Sequence, residues 1–227
     1  MATTAYLLND DGSASIATAL LMSHHAFRRD IARFGRALTH AVEGDLARAA
    51  ALREEWQSFR GSLHGHHEIE DTKMFPGFRA ANAQLAPVFD QLSAQHDQID
   101  PLLERADAAF SALETRAAEA AAVVKELAGL LDRHLELEET HVPAFLRPAK
   151  EFPPTSSDAE SDAYAQGFAW SSEGVAPEVL NRVYGILPPA VVSRLPAARA
   201  AFAERCARVW GETPSGASRT SVPDWLA

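Results

Sequence analysis

Residues 52–76 read LREEWQSFRGSLHGHHEIEDTKMFP. Apolar residues recur at steps of four and three through Leu52, Trp56, Phe59 and Leu63, and the same steps run on to His66 and Glu70. That rhythm belongs to a helix whose narrow apolar seam faces the core of a helix bundle. Its last two places hold an imidazole and a carboxylate where a hydrocarbon side chain is the ordinary occupant. A buried carboxylate without partners costs several kcal/mol or gives up its charge, so its presence on a seam demands a compensating group.

Three further stretches carry the same rhythm. The first gives Leu20, His24, Phe27, Ile31, Phe34 and Leu38. The third gives Leu85, Phe89, Leu92, His96, Ile99, Leu103, Ala106, Phe110 and Leu113, and the fourth Val124, Leu127, Leu131, His134 and Glu138. The pattern predicts helices over 14–41, 45–74, 85–113 and 116–141. Short breaks separate them: Glu43-Gly44-Asp45 with an N-cap candidate, Pro76-Gly77 as a stop for the second helix, and Pro143 as the end of the fourth. Pro87 suits the start of the third helix, and Pro101 predicts a kink within it. The fold class is all-α, an antiparallel up-down-up-down four-helix bundle with a C-terminal helical extension. The expected division is a bundle over 1–147 and a linker plus extension over 148–227.

In such a topology odd helices start where even helices end. His24 lies near the start of the first helix and His96 in the first half of the third. His66/Glu70 and His134/Glu138 lie near the ends of the second and fourth. All six therefore converge on one end of the bundle. A lone core histidine is ordinarily satisfied by one hydrogen bond, and an HxxxE pair is often a surface pair. Four seam histidines and two seam glutamates sharing a layer point instead to a metal site.

Six ligands of mixed imidazole and carboxylate type exceed what one tetrahedral zinc takes. The absence of thiolates disfavours soft metals, and the abundance of imidazole disfavours magnesium or calcium. Two first-row ions bridged by Glu70 and Glu138 fit best, with iron the usual occupant and manganese an alternative. Phe27, Phe59, Leu63, Leu92 and Leu131 would line a dry pocket suited to dioxygen, nitric oxide or peroxide. Around the six, His67 flanks the seam within reach of the site. His64 and His141 are candidates for the pocket mouth or the surrounding shell. Asp71 and Glu139 adjoin the glutamates and could orient histidine N–H groups, although a surface position is the simpler expectation for each. His25 and His40 are expected to be solvated.

The composition sets limits. The 227 residues suit one domain with an appendage, and the formal charge of −10 argues against nucleic acid or an anionic membrane as partner. No apolar run reaches the roughly 20 residues that span a bilayer. The start, MATTAYLLNDDGS, lacks the marks of a signal peptide, and the single cysteine, Cys206, suits a reducing compartment. The expectation is a cytoplasmic protein.

HHAFRRD around His24, HGHHEIEDTKMFP from His64 to Pro76, QHDQID around His96 and HLELEETHVP from His134 to Pro143 resemble the hemerythrin-like family, the HHE cation-binding domain, over about residues 14–147. The resemblance implies a bundle with an oxo- or hydroxo-bridged di-iron site, and carries His24, His66, Glu70, His96, His134 and Glu138 over as ligands. Two departures stand out. Oxygen-carrying hemerythrins place a second histidine one turn after the third-helix ligand, where this chain has Asp100. Their last motif ends on an aspartate five residues after the histidine, where Glu139 stands beside Glu138; seam position favours Glu138. A histidine-poorer site favours the ferric state, and with it peroxide or nitric oxide over stored dioxygen, unless His67 is the fifth histidine.

Residues 148–162 are rich in Pro, Ser and acids and read as a linker. Apolar segments follow at about 176–187 and 189–210, split by Leu187-Pro188-Pro189. They read as a pair of helices packed on the bundle, with a gate formed by Tyr164, Tyr184 or Trp170, a protein partner site or a homodimer interface as alternatives. The tail GETPSGASRTSVPDWLA reads as an irregular strap or disordered. The functional expectation is a di-iron protein that binds a small ligand for sensing, storage or detoxification. A catalase- or peroxidase-like enzyme and an iron- or oxygen-responsive regulatory module are the alternatives. A ferritin-like oxidase is disfavoured, because here His precedes Glu at i,i+4 rather than following it at i,i+3.

Overall fold

The computed structural model describes residues 6–39, 42 and 44–211. Among these there is no strand, and no helix is long and apolar enough to cross a membrane. The expectations for His40 and for the tail beyond Gly211 lie outside the described residues.

Four long helices match the four seams: α1 (Ile16–Thr39), α2 (Leu46–Ile69), α4 (Ala86–Ser111) and α5 (Leu113–His141). Asp45 caps α2 by accepting a hydrogen bond from the Arg48 amide at 3.0 Å, after Gly44 with φ 84°. Arg116 has non-helical dihedrals (φ −124°, ψ 23°), so regular helix in α5 begins just beyond it. α4 runs through Pro101 as one helix.

Pro76 does not stop the second helix. The chain passes from α2 into a π-helical turn, Glu70–Met74, in which the Phe75 amide donates to the Glu70 carbonyl, and then into α3 (Phe75–Ala81). A proline in the first turn of a new helix lacks only an N–H that would go unbonded there anyway. The linker is also shorter than its composition predicts. Residues 158–162 open α7 (Asp158–Ser171), capped by Ser157, whose hydroxyl accepts from the Glu160 amide. The extension continues as α8 (Pro177–Tyr184), α9 (Pro189–Val192) and α10 (Leu195–Trp210), and α6 (Pro143–Leu146) is a single turn before the linker.

The chain divides into two compact units, Met1–Arg29 with Val142–Ala227, and Asp30–His141. In the second, α2, α4 and α5 pack on one another. An aromatic layer fills part of this core: Trp56 stacks on Phe110 with centroids 4.6 Å apart, and Phe34 meets Trp56, Phe59 and Phe110 edge-on at 5.5–5.8 Å. In the first unit, Leu21 and Met22 join Phe168, Val179, Val183, Leu187 and Val191 in a separate apolar core.

Candidate metal centre

Beyond the aromatic layer, α2, α4 and α5 bring polar side chains into the same interior. Glu70, His134 and Glu138 have no solvent exposure, and His67 and His96 are buried at 5% and 4%. His66 is half-buried. His67, Glu70, His96 and His134 each offer a ligand atom within 4.8 Å of the others, and so do His66, Glu70 and Glu138.

Glu70 belongs to both sets. Its Oε1 lies 2.9 Å from His66 Nε2 and its Oε2 3.5 Å from His96 Nε2. Glu138 also faces both ways, with Oε2 3.9 Å from His66 Nε2 and 3.6 Å from His134 Nε2. The helical period explains the convergence: His66/Glu70 and His134/Glu138 are i,i+4 pairs, one above the other on a single face.

Neighbouring groups fix how the imidazoles point. Asp71 Oδ2 lies 2.6 Å from His96 Nδ1, and a carboxylate can only accept, so Nδ1 carries the proton. Gln95 Oε1, 3.1 Å from His134 Nδ1, orients that ring in the same way. In neutral rings both Nε2 atoms then present lone pairs, and they face each other at 3.2 Å. Two lone pairs at that separation repel unless a cation or a proton lies between them. Ser93 steadies Asp71 with a hydroxyl donated to Oδ1 at 2.7 Å.

Among the described residues no hydrogen bond of good geometry reaches either oxygen of Glu70 or the Nε2 of His67. Burial and the Glu138 carboxylate push the Glu70 carboxyl up to about 8, with the His66 ring pulling the other way. Burial works against a charge on His66, yet Glu70 and Glu138 together raise it to about 10. Burial, then the neighbouring His96 and His66 rings, hold His67 well below the usual imidazole range, so it stays neutral. Neutral imidazole and ionised carboxylate are the forms that ligate metals, and a multivalent cation would relieve both the stranded carboxylate and the facing lone pairs. The donor set therefore fits a first-row metal.

Several sequence expectations change here. His67 is in the cluster. Asp71 is not idle on the surface but holds His96, and Glu139 is buried. His25 is not solvated: it is buried in the first unit, with Nε2 2.9 Å from the Glu173 carbonyl. His64 is exposed and His141 half-buried, and neither belongs to a metal-competent group. His24 is fully buried on α1, in the first unit. Phe27, Phe59, Leu63, Leu92 and Leu131 are all buried. Of the aromatic gate candidates, Trp170 packs edge-on against Phe27 at 5.0 Å, Tyr164 lies near Phe152, and Tyr184 sits under Arg199.

The model of the hemerythrin HHE cation-binding domain matches residues 15–146. The chain belongs to this family. No curated protein and no solved structure matches it significantly. The cluster thus sits in a helical domain of a cation-binding family, and the matched span covers α1 to α6.

Proposed function

We propose that this hemerythrin-family chain is a non-haem di-iron protein built on an antiparallel up-down-up-down four-helix bundle, and that it binds a small ligand, dioxygen, nitric oxide or peroxide. The observation that carries the reading is Glu70: a fully buried carboxylate, without a good hydrogen bond, between His66 on one side and His96 on the other. His66 and Glu138 would serve one metal, with His24 completing it from α1 by seam position and family resemblance. His67, His96 and His134 would serve the other, with Glu70 shared. Iron held there would supply reversible electron transfer and bind the small ligand.

The residues around the metals have separate tasks. Asp71 and Gln95 hold the rings of His96 and His134 with Nε2 inward. Leu63, Leu92 and Leu131, all buried and one helical turn from His66, His96 and His134, would keep bulk water from the carboxylates. His67 bears on the choice of ligand. The preference for peroxide or nitric oxide over stored dioxygen drew on a histidine-poor site, and the position of His67 supports a fifth imidazole, so that preference weakens. A cytoplasmic location and a role in sensing, storage or detoxification remain part of the proposal.

Aerobic purification, metal analysis and a visible spectrum with and without azide test the reading. About two irons per chain and an azide-sensitive charge-transfer band are expected. One zinc, or a folded protein without metal or colour, would overturn it.

A further inference from the structure

Within the first compact unit, α8 and α10 and the turn after α7 enclose a groove of about 530 Å³. Val175, Leu180 and Phe202 give it apolar walls, and Arg199 and Tyr184 form one side. The Arg199 guanidinium lies 4.9 Å from the Tyr184 ring centroid, in cation–π contact. The Tyr184 hydroxyl is buried and has no hydrogen-bond partner among the described residues.

The charges of the groove are unequal. Glu173, its one acidic lining residue, is engaged with Arg29 at 3.4 Å. Arg199 has no carboxylate within ion-pair distance among the described residues, although the chain carries a net charge of −10. Partial burial lowers its proton affinity, but a guanidinium remains charged at neutral pH. An apolar cleft of a few hundred Å³ with one or two converging polar groups is the usual form of a small-molecule site.

We infer that this groove binds a small organic carboxylate with an aliphatic or aromatic body, its anionic end held by Arg199 and the Tyr184 hydroxyl and its body laid along Leu180 and Phe202. The inference does not rest on the di-iron reading. Its chemistry is charge complementarity to an unpaired guanidinium beside hydrocarbon, which selects a monoanion with a tail over a neutral alcohol or a bare ion.

Octanoate and 1-octanol, titrated calorimetrically into the full chain, form the test. Saturable one-to-one binding of octanoate is expected, with 1-octanol at least about tenfold weaker. Arg199→Gln should weaken octanoate about tenfold, and Tyr184→Phe by a smaller factor, while both keep the wild-type helical signal. Arg199 stands on the groove wall, only partly covered and outside the buried core, so its replacement leaves the core intact. A carboxylate could instead ligate the metals, so the titration is repeated with His66→Ala. Unchanged affinity there supports the groove, and loss there with retention in Arg199→Gln overturns it. No saturation up to about 10 mM, or equal binding of octanoate and octanol, also overturns it.

Discussion

Two layers of the Asp30–His141 unit are built on the same helices and read from the same seam, yet they answer to opposite demands. In the aromatic layer, Phe34, Trp56, Phe59 and Phe110 interlock, and the Trp56 indole N–H donates to Asp107 at 2.7 Å. About 15 Å further along α2, the seam holds His66 and Glu70. There the helix changes to a π turn, a feature that recurs at functional sites, and neither oxygen of the buried Glu70 has a hydrogen bond of good geometry among the described residues. One layer supplies stability, and the other, without a metal, opposes it. A periodic seam specifies where side chains meet but not whether their meeting is favourable.

A crossed pair of substitutions separates the two layers. Trp56→Ala removes the centre of the aromatic layer and should cost about 3–5 kcal/mol, read by denaturant unfolding, whether metal is present or not. His134→Ala should abolish metal binding, read by metal analysis, while leaving the metal-free protein as stable as before or more so. Substantial destabilisation of the metal-free protein by His134→Ala would mean that the polar layer is an ordinary satisfied core.

A somewhat smaller effect follows from pH. Glu70 keeps its proton up to about 8 in the folded chain, whereas its ordinary value is 4.5. Between those values the folded state binds more protons than the unfolded one, so raising the pH removes stability. His66, raised from 6.5, adds to the loss above that value. His67 acts from the other side: held neutral when folded, it costs stability as the pH drops below 6.5. The Glu70 and His67 contributions oppose each other between 4.5 and 6.5, so the metal-free protein should be most stable in that window and melt several degrees lower by pH 8.5. Metal displaces the same protons and should flatten the decline, as should Glu70→Gln without metal. A metal-free melting temperature that rises from pH 6.5 to 8.5 would contradict the assignment.

Asp71→Asn keeps the shape of the group that orients His96 but gives its Nδ1–H a weaker, neutral acceptor, or turns an amide N–H toward it. Metal affinity should drop about 10–100-fold, measured by competition with a chelator, with little change in melting temperature. An equal change from Asp90→Asn, a carboxylate paired with Arg79 on the surface, would show that Asp71 acts only through overall charge.

Much of this was legible in the sequence, for reasons that also mark the limit. The 4-3 rhythm found all four long helices and placed Glu70, His96, His134 and Glu138 in the interior, because burial on a bundle face is periodic. The rhythm leaves His67 undecided because a strict two-per-heptad seam is narrower than the apolar stripe of most packed helices, which includes one flanking position. That wider stripe was the available signal. Asp71 is legible only as a candidate to orient a histidine, with the surface the simpler expectation, because its placement depends on the π turn that begins at Glu70. The start of α7 inside the acidic linker was signalled only by a Ser157 cap three residues before Glu160. His25 was beyond local reading, since its partner is 148 residues away.

The two His-His pairs give the finest test. His66-His67 and His24-His25 look alike in sequence, each a seam histidine followed by a neighbour about 100° around the helix. In the first pair the neighbour joins Glu70, His96 and His134. In the second it bonds the Glu173 carbonyl, which Arg29 Nη1 also serves at 3.2 Å. His25→Ala should leave metal content unchanged and cost about 0.5–1.5 kcal/mol, toward the lower end because Arg29 still satisfies that carbonyl. His67→Ala should lower metal affinity, measured by chelator competition, while the metal-free protein loses little. Equal metal loss from both substitutions would erase the distinction between a histidine that serves the site and one that ties the chain to itself.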